Sequence, residues 1–471
     1  MLMNQSLLMS FSLWLIKVKK HLEMMFLILW KKKERINKIK QMLRAIKVRL
    51  YPNKTQTEQF NKLLGCYRVV YNQCLNRKIK SYEKDKISEN LTTLGKFFHH
   101  ELLNDDNFSW LKEQNTKVLK QAIKDMLTAY KNFFTQNSGY PKFKSKKDNK
   151  QSCRFELGAI SKRNNYSSYH LSLANIKNVK FRCSKKYAIY LQKHKDNIRQ
   201  ATLSKLPCGE YYISILVDGS LMHQVKNTNN SVGIDLGVKD FVITSDGEVF
   251  SNLHFKKSEK NKIKRLQRQL SRKQNGSNNR NKARIRLAKI YKRISDKKQY
   301  YLHYVSNSLI DDNQVICMED LNVKGMVKNH KLAESILEMN FGEFRRMLEY
   351  KSKWYNRKIV FVDRFYPSSK TCHNCGYVNK ELRLSDREWK CSNCDSIIER
   401  DYNAALNILD EGIRIIGSST TEFTLVDYPT AERRATRKCG AVDDKVETPL
   451  KSNDRLKQEN HNEQKFNFVQ V

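Results

Sequence analysis

The sequence has no segment that reads as a membrane span. Residues 7–16 and 24–30 are apolar, but both runs are too short to cross a bilayer. No charged stretch precedes the first of them, so a secretory signal is not expected. Acidic residues are in short supply: Asp plus Glu number 48 against 89 Lys plus Arg, a net charge of +41. The excess runs along the whole chain and is not confined to a tail. That balance points to nucleic acid as the partner, with an anionic membrane surface the weaker candidate. Paired cysteine spacing is missing outside one region. Of eleven cysteines, Cys66, Cys74, Cys153, Cys183, Cys208, Cys317 and Cys439 are scattered. Scattered thiols argue against a disulfide framework and suit a reducing cytosol.

The region that does pair its cysteines lies between residues 372 and 409. Cys-His-Asn-Cys at 372–375 and Cys-Ser-Asn-Cys at 391–394 form two C-x-x-C knuckles separated by fifteen residues. Cys372, Cys375, Cys391 and Cys394 can then surround one tetrahedral Zn2+, the ion that a soft four-sulfur set selects. Seven residues on, Asp401 stands where a helix should begin, followed by Ala404, Ala405, Ile408 and Leu409 at helical spacing. Taken alone, Asp401 reads as an N-cap.

With 471 residues, two to four domains are expected. Residues 1–41 look separate from the rest, either an upstream extension read from an early start codon or a small amphipathic helix that docks on the body. Residues 43–51 alternate as a half-buried strand, with Ile46, Val48 and Leu50 inward, and Pro52 ends it. Thr55 with Glu58 predicts a capping box. Helices are expected after it, and again over 91–104 and 110–135. At 139–147 a turn is followed by basic residues interleaved with aromatics. Lys142 and Lys144 in it are candidates for phosphate contact beside base-stacking rings. Short strands are predicted at 169–173, 178–181, 187–190, 200–206 and 211–217, as in a small antiparallel barrel or sandwich.

Ser-Val-Gly-Ile-Asp-Leu-Gly at 231–237 reads as a strand with Val232, Ile234 and Leu236 on one face. Gly233, Asp235 and Gly237 share the other, which leaves the carboxylate room for ions and for a backbone to approach. A charge in so apolar a strand is costly unless paired or ligating a metal. Residues 256–298 predict a basic helical hairpin with 18 Lys or Arg against Glu259 and Asp296, turning at Asn275-Gly276-Ser277. Arg265, Arg268, Arg272, Arg284 and Arg286 are its candidate nucleic-acid contacts. A further strand at 315–321 ends on Glu319, with Asp320 facing the opposite way. Asp235, Glu319 and Asp401 are hard oxygen donors suited to Mg2+ or Mn2+. Two such ions about 4 Å apart hydrolyse phosphodiesters.

At these residues the chain resembles the OrfB/TnpB proteins of bacterial insertion sequences. The motifs are G-I-D-L-G (233–237), M-E-D-L (318–321), C-x-x-C-G (372–376), C-x-x-C (391–394) and R-D-Y-N-A-A-L-N-I (400–408), supported by R-x-V-Y-N (68–72) and G-Y-P-K-F-K (139–144). The resemblance covers roughly 42–412. It implies a multidomain α+β and α/β protein with a ribonuclease-H-like, RuvC-type nuclease domain (229–365 and 400–412) interrupted by a zinc ribbon (366–399). It also implies a β-barrel wedge domain (42–53 and 136–228) holding an inserted helical recognition domain (54–135). The tail from 413 to 471 is expected to be disordered. The implied activity is RNA-guided cleavage of double-stranded DNA, with Asp235, Glu319 and Asp401 catalytic and a guide RNA drawn from the element's own end. A monomer in the bacterial cytoplasm, associated with the nucleoid, is the favoured state. The alternatives are a non-catalytic nucleic-acid-binding regulator of transposition and a strand-transferring transposase that acts without RNA.

Overall fold

A computed structural model describes residues 42–418, apart from 136, 137, 149, 162, 220–224, 226, 227 and 384. The expected extension at 1–41 and all residues after 418 lie outside the described residues. The fold is mixed α and β, and the chain divides near residue 222 into two compact units.

The first unit is built on a six-stranded antiparallel sheet. Strand β1 (Met42–Tyr51) is central to it. The chain then leaves the sheet for a helical block: α1 (Lys54–Asp85), α2 (Leu91–Lys96) continued by a π-helical turn, a 3-10 turn at Asp106–Glu113, and α3 (Thr116–Thr135). It returns through β2 (Gln151–Glu156), β3 (His170–Leu173), β4 (Ile176–Arg182), helix α4 (Lys185–Lys193), β5 (Ile198–Lys205) and β6 (Tyr211–Gly219). The order across the sheet is β2-β5-β6-β1-β4-β3, so β1 joins β6 to β4. Just past β2, Ile160 bridges to Leu173 of β3, and the Ala174 N–H donates to the Ala159 carbonyl at 2.7 Å. The two edges of the sheet therefore meet. Ile46, Val48 and Leu50 face one continuous core with Phe60, Tyr67 and Val70 of α1 and Val118, Leu119 and Met126 of α3.

Three expectations in this unit are corrected. The capping box of α1 is Asn53 with Gln56, not Thr55 with Glu58: the Gln56 N–H donates to Asn53 Oδ1 at 2.8 Å and the Asn53 N–H to Gln56 Oε1 at 3.0 Å. Asn53 directly follows Pro52 and starts the helix two residues earlier. Residues 187–190 lie in α4, not in a strand, because the Ser184 hydroxyl accepts from the Tyr187 N–H and caps a helix there. The helix expected from 110 begins at Thr116, where Asn115 Oδ1 accepts from the Lys117 N–H at 3.1 Å.

The second unit is built on a five-stranded sheet. Strands β7 (Ser231–Asp235), β8 (Asp240–Thr244) and β9 (Val249–Ser251) form a meander. A helical hairpin follows: α5 (Phe255–Ser271) and α6 (Asn278–Asp312), the second running past the expected end at 298. Strand β10 (Val315–Glu319) pairs parallel with β7. Helices α7 (Val323–Met326), α8 (His330–Met339) and α9 (Phe341–Tyr355) lead to β11 (Lys358–Val362), parallel to β10. After the cysteine region, with its small hairpin β12 (Glu388–Lys390) and β13 (Ile397–Glu399), helix α10 (Arg400–Ser418) closes the unit. It continues through 413–418, which was expected to be disordered.

Helices cover both faces of this sheet. Val232, Ile234, Ile316 and Met318 pack on α6 and α9, against Val305, Leu309, Phe344 and Leu348. Val315, Cys317, Val360 and Val362 pack on α10, against Ile408, Leu409 and Ile416. Burial on both faces explains why β10 reads as the unbroken apolar run V-I-C-M.

Candidate functional site

Strand pairing brings two of the acidic residues together. Ile234 pairs with Met318, so Asp235 and Glu319 stand on the next rung of adjacent parallel strands, whose axes are about 4.8 Å apart. Both side chains lie on the α10 face, by parity with Gly233 and with Cys317. Asp320, one residue on, turns to the other face, where Arg345 of α9 and Arg364 both pair with it. Those two guanidinium groups hold its carboxyl below the usual carboxylate range.

Two glycines let the third acid approach. A Cβ on Gly233 would lie 2.1 Å from the Ala405 carbonyl oxygen, and one on Gly412 would lie 2.3 Å from Cys317 Sγ. Helix α10 thus lies on the bare backbone of β7, and β10 meets its bare face. Asp401 is one helical turn before Ala405, about 6 Å along the axis toward the ends of both strands. Its charge is felt there. The Asp235 carboxyl is pushed up to about 7, first by burial and then by the Glu319 and Asp401 carboxylates. Burial also raises Glu319, offset by the Ser368 hydroxyl that donates to its Oε1. Asp401 is the second residue of α10 and does not stand before it as a cap. Strand β13 runs straight into the helix, and Asp401 Oδ2 accepts from Arg387 Nη1 at 2.9 Å.

Ser368, Asn403 and Asn407 also order this site, and sequence reasoning assigned them no role. Asn403 and Asn407 lie on the buried face of α10. Asn407 Nδ2 donates to the carbonyls of Ser368 and Thr371, both at 2.7 Å. Asn403 Nδ2 donates to the Thr371 carbonyl at 2.7 Å, and its Oδ1 accepts from the His373 N–H at 3.0 Å. The loop that carries Ser368 is therefore tied to the helix that carries Asp401. The available signal was two asparagines at i and i+4 inside an apolar stripe, where a polar side chain needs a partner.

The four thiols converge. Cys372 Sγ lies 3.6 Å from Cys394 Sγ, Cys375 Sγ 3.6 Å from Cys391 Sγ, and all four fall within 4.8 Å of one another. Tetrahedral zinc with Zn–S near 2.3 Å sets sulfurs about 3.8 Å apart, so the donor set fits. The two knuckles are built alike. The Cys372 N–H donates to the Tyr377 carbonyl (2.8 Å) and the Cys391 N–H to the Ser396 carbonyl (2.9 Å). Gly376 and Asp395 take the same left-handed conformation, at φ 76° and 57°. Asn393 and the Tyr377 backbone pull the Cys375 thiol down to about 6, while burial raises Cys372 to about 12. Leu382, Trp389 and Ile398 complete a small core around Cys372 and Cys391. Among the described residues only these thiols gather all their ligand atoms within 4.8 Å. The three carboxylates form a more open set.

The basic candidates divide. Arg265, Arg268, Arg272, Arg284 and Arg286 are exposed on the α5–α6 hairpin, whose inner seam is Ile263, Leu266, Ile290 and Ile294. Arg284 also bonds Asn281. Lys142 is exposed, but Lys144 is turned inward, with Nζ 4.0 Å from the centre of the Tyr71 ring. The Lys144 backbone is clamped by Asn72 through bonds of 2.8 and 2.9 Å. The motifs at 68–72 and 139–144 thus meet in one contact.

Comparison with known proteins gives three family matches: a "Probable transposase" family over residues 212–330, a "Cas12f1-like, TNB domain" over 341–408, and a "Helix-turn-helix domain" over 42–86. In this chain the last of these is β1 and the single helix α1. A protein of Streptomyces pristinaespiralis named "Putative RNA-guided DNA endonuclease" is 34% identical over 80% of this chain and 90% of its own length. The similarly named InsQ of Escherichia coli is 30% identical over 79% of this chain and 93% of its own. Among solved structures, the Cas12f1–sgRNA–target DNA complex aligns with a TM-score of 0.49 at 15% identity, covering 78% of this chain and 99% of that one. With its probable-transposase segment and relatives of this identity over nearly their whole length, the chain belongs to the OrfB/TnpB family.

Proposed function

We propose that this chain is an insertion-sequence endonuclease that cuts double-stranded DNA under the direction of a guide RNA from the element's own end. The observation that carries the reading is the approach of Asp235, Glu319 and Asp401 from β7, β10 and α10, with the Asp235 carboxyl raised by burial and by its two acidic neighbours. Like charges gathered out of water are costly unless a cation offsets them. Mg2+ or Mn2+ fits these hard oxygens, and Asp235, Glu319 and Asp401 would hold it. Such ions activate water and stabilise the leaving oxygen of a phosphodiester. The chain's own residues do the rest. The Ser368 hydroxyl favours the charged form of Glu319 against the burial that raises it, Arg387 orients Asp401, and the packing of α10 on β7 sets the acids against one another. This is the arrangement expected of a ribonuclease-H-like, RuvC-type domain.

In the same reading Cys372, Cys375, Cys391 and Cys394 hold one structural Zn2+ and form a ribbon inserted in the nuclease domain. The joined-edge sheet is the wedge, and the helices of 54–135 are the recognition domain. Arg265, Arg268, Arg272, Arg284, Arg286 and Lys142 neutralise phosphates; Lys144 is engaged internally and holds its loop. Among the described residues no helix is long and apolar enough to cross a membrane.

The test is cleavage of target plasmid by chain purified with RNA co-expressed from the flanking sequence. Asp235→Ala, Glu319→Ala and Asp401→Ala should each abolish cutting and leave RNA content unchanged. Because the acids act as a unit, a double variant should be little worse than a single one. A Glu319→Ala chain that cuts at the normal rate overturns the site, and cutting that needs no RNA overturns the guide.

A further inference from the structure

Phe365 is 86% exposed, more than any other large apolar side chain among the described residues. Single exposed apolar side chains are common and need no explanation by themselves. Phe365 differs in how it is held. It lies in the loop that leaves β11, and its N–H donates to Asp363 Oδ1 at 2.8 Å while the Tyr366 N–H donates to the Asp363 carbonyl at 3.1 Å. On one side Arg364 pairs with Asp320; on the other the Ser368 hydroxyl reaches Glu319. The two anchors of the loop are thus consecutive residues at the end of β10. A ring 86% exposed is carried on a loop whose two ends are tied to Asp320 and Glu319.

That geometry suits one class of occupant. Every nucleobase has a π-face, and stacking on an aromatic ring tolerates any sequence. A base within a duplex has both faces covered, so only an unpaired base can use a ring that projects from a loop. We infer that Phe365 is a stacking platform for one unpaired base of the DNA strand being cut, holding the neighbouring phosphodiester in register with Asp235 and Glu319. The inference rests on the endonuclease reading above and adds to it a residue that positions the strand.

Two measurements test it. In guided cleavage, Phe365→Leu keeps an apolar side chain and removes the ring. It should lower kcat/KM about tenfold, with RNA content and thermal midpoint unchanged, and Phe365→Trp should restore it. A Phe365→Leu chain that cuts like the wild type, or a Phe365→Trp chain as impaired as Phe365→Leu, overturns the platform. In the second measurement, 5-iododeoxyuridine is placed in a single-stranded oligonucleotide, photocrosslinked to the chain and mapped by mass spectrometry. An adduct on Phe365 is expected, and adducts found only elsewhere overturn the inference. If the wild-type chain with its RNA and Mg2+ cuts nothing, the endonuclease reading fails, and the crosslink alone decides for the ring.

Discussion

The backbone of Ala405 lies directly on Gly233, since a Cβ at 233 would sit 2.1 Å from the Ala405 carbonyl oxygen and 2.7 Å from the Leu409 nitrogen. Both atoms belong to a helix backbone that cannot turn aside. Gly233→Ala should therefore push α10 off β7, costing about 1–3 kcal/mol or more. Cleavage should be lost because Asp401 moves with the helix. Gly412→Ala meets a side chain first, Cys317 Sγ at 2.3 Å with Cβ at 2.7 Å behind it. Cys317→Ala should partly rescue Gly412→Ala and leave Gly233→Ala unrescued. Thermal midpoints and cleavage rates of the two double variants, set against the singles, check this. Equal rescue of both would show that the helix is not seated on the glycine backbone.

The cysteine region has five core side chains, two of them cysteines. So small a core is not expected to hold without metal; structural zinc contributes about 10–16 kcal/mol in small sites. Cys391→Ser should bring zinc from one ion per chain to none by metal analysis. Residues 372–399 should become open to protease while the sheet of the second unit persists by circular dichroism. Cleavage should fall as well, because Asn403 and Asn407 hold the stretch from Ser368 to His373 that leads into the first knuckle. Full zinc content in the Cys391→Ser protein would refute the assignment of Cys391 as a ligand.

Sequence patterns carried the strands well where burial was one-sided or complete, as in β1 with its alternation and β10 with its unbroken run. They failed where a cap outweighed a pattern. Tyr-Ala-Ile-Tyr at 187–190 is a short aromatic and apolar run that suits a strand, yet Ser184 starts a helix that absorbs it. At the site, each carboxylate stood out singly, as a charge in or beside apolar sequence. Gly233 marked a place where a backbone could approach, but spacing could not supply that the backbone is that of α10. That depends on which residues lack a Cβ at the crossing, and Gly233 and Gly412 are far apart in the chain. The anchoring asparagines were hidden for a similar reason, since their partners are backbone carbonyls some 32–39 positions away.

Away from the acids, Lys351 of α9 is 3% exposed, and its Nζ donates to Ser306 Oγ and Asn307 Oδ1, both at 2.6 Å, and to the His303 carbonyl at 3.2 Å. Burial pushes its pKa down to about 7. An unfolded lysine keeps its proton to about 10.4. Between these values the unfolded state binds the proton that the folded state has released, so stability rises with pH across that window and is lost as pH falls through about 7. Lys351→Met keeps the stem and removes the amine. Denaturant midpoints of the wild type should climb between about pH 7 and pH 9.5, and those of the Met variant should climb less. Parallel curves would mean that the ammonium stays charged among its three acceptors.

The Ser368 hydroxyl offers a finer test of the acidic site. It donates to Glu319 Oε1 and opposes the burial that raises this carboxyl. Asn407 grips the backbone carbonyl of Ser368, which alanine retains, so Ser368→Ala removes the hydroxyl and leaves the loop tied. A hydrogen bond to a charged group is worth about 1.5–3 kcal/mol, equivalent to about one to two pH units. Without it, the Glu319 pKa climbs further and the carboxylate form is lost at a higher pH. The acid limb of the cleavage profile should shift upward by that amount, while the rate on the alkaline plateau stays near wild type. The divalent-ion concentration needed for half-maximal rate should rise on the acid side for the same reason. Ser368→Thr keeps a hydroxyl and should keep the wild-type profile. An unmoved acid limb in Ser368→Ala, or a loss of rate equal at every pH, would show that the hydroxyl does not act through the charge of Glu319.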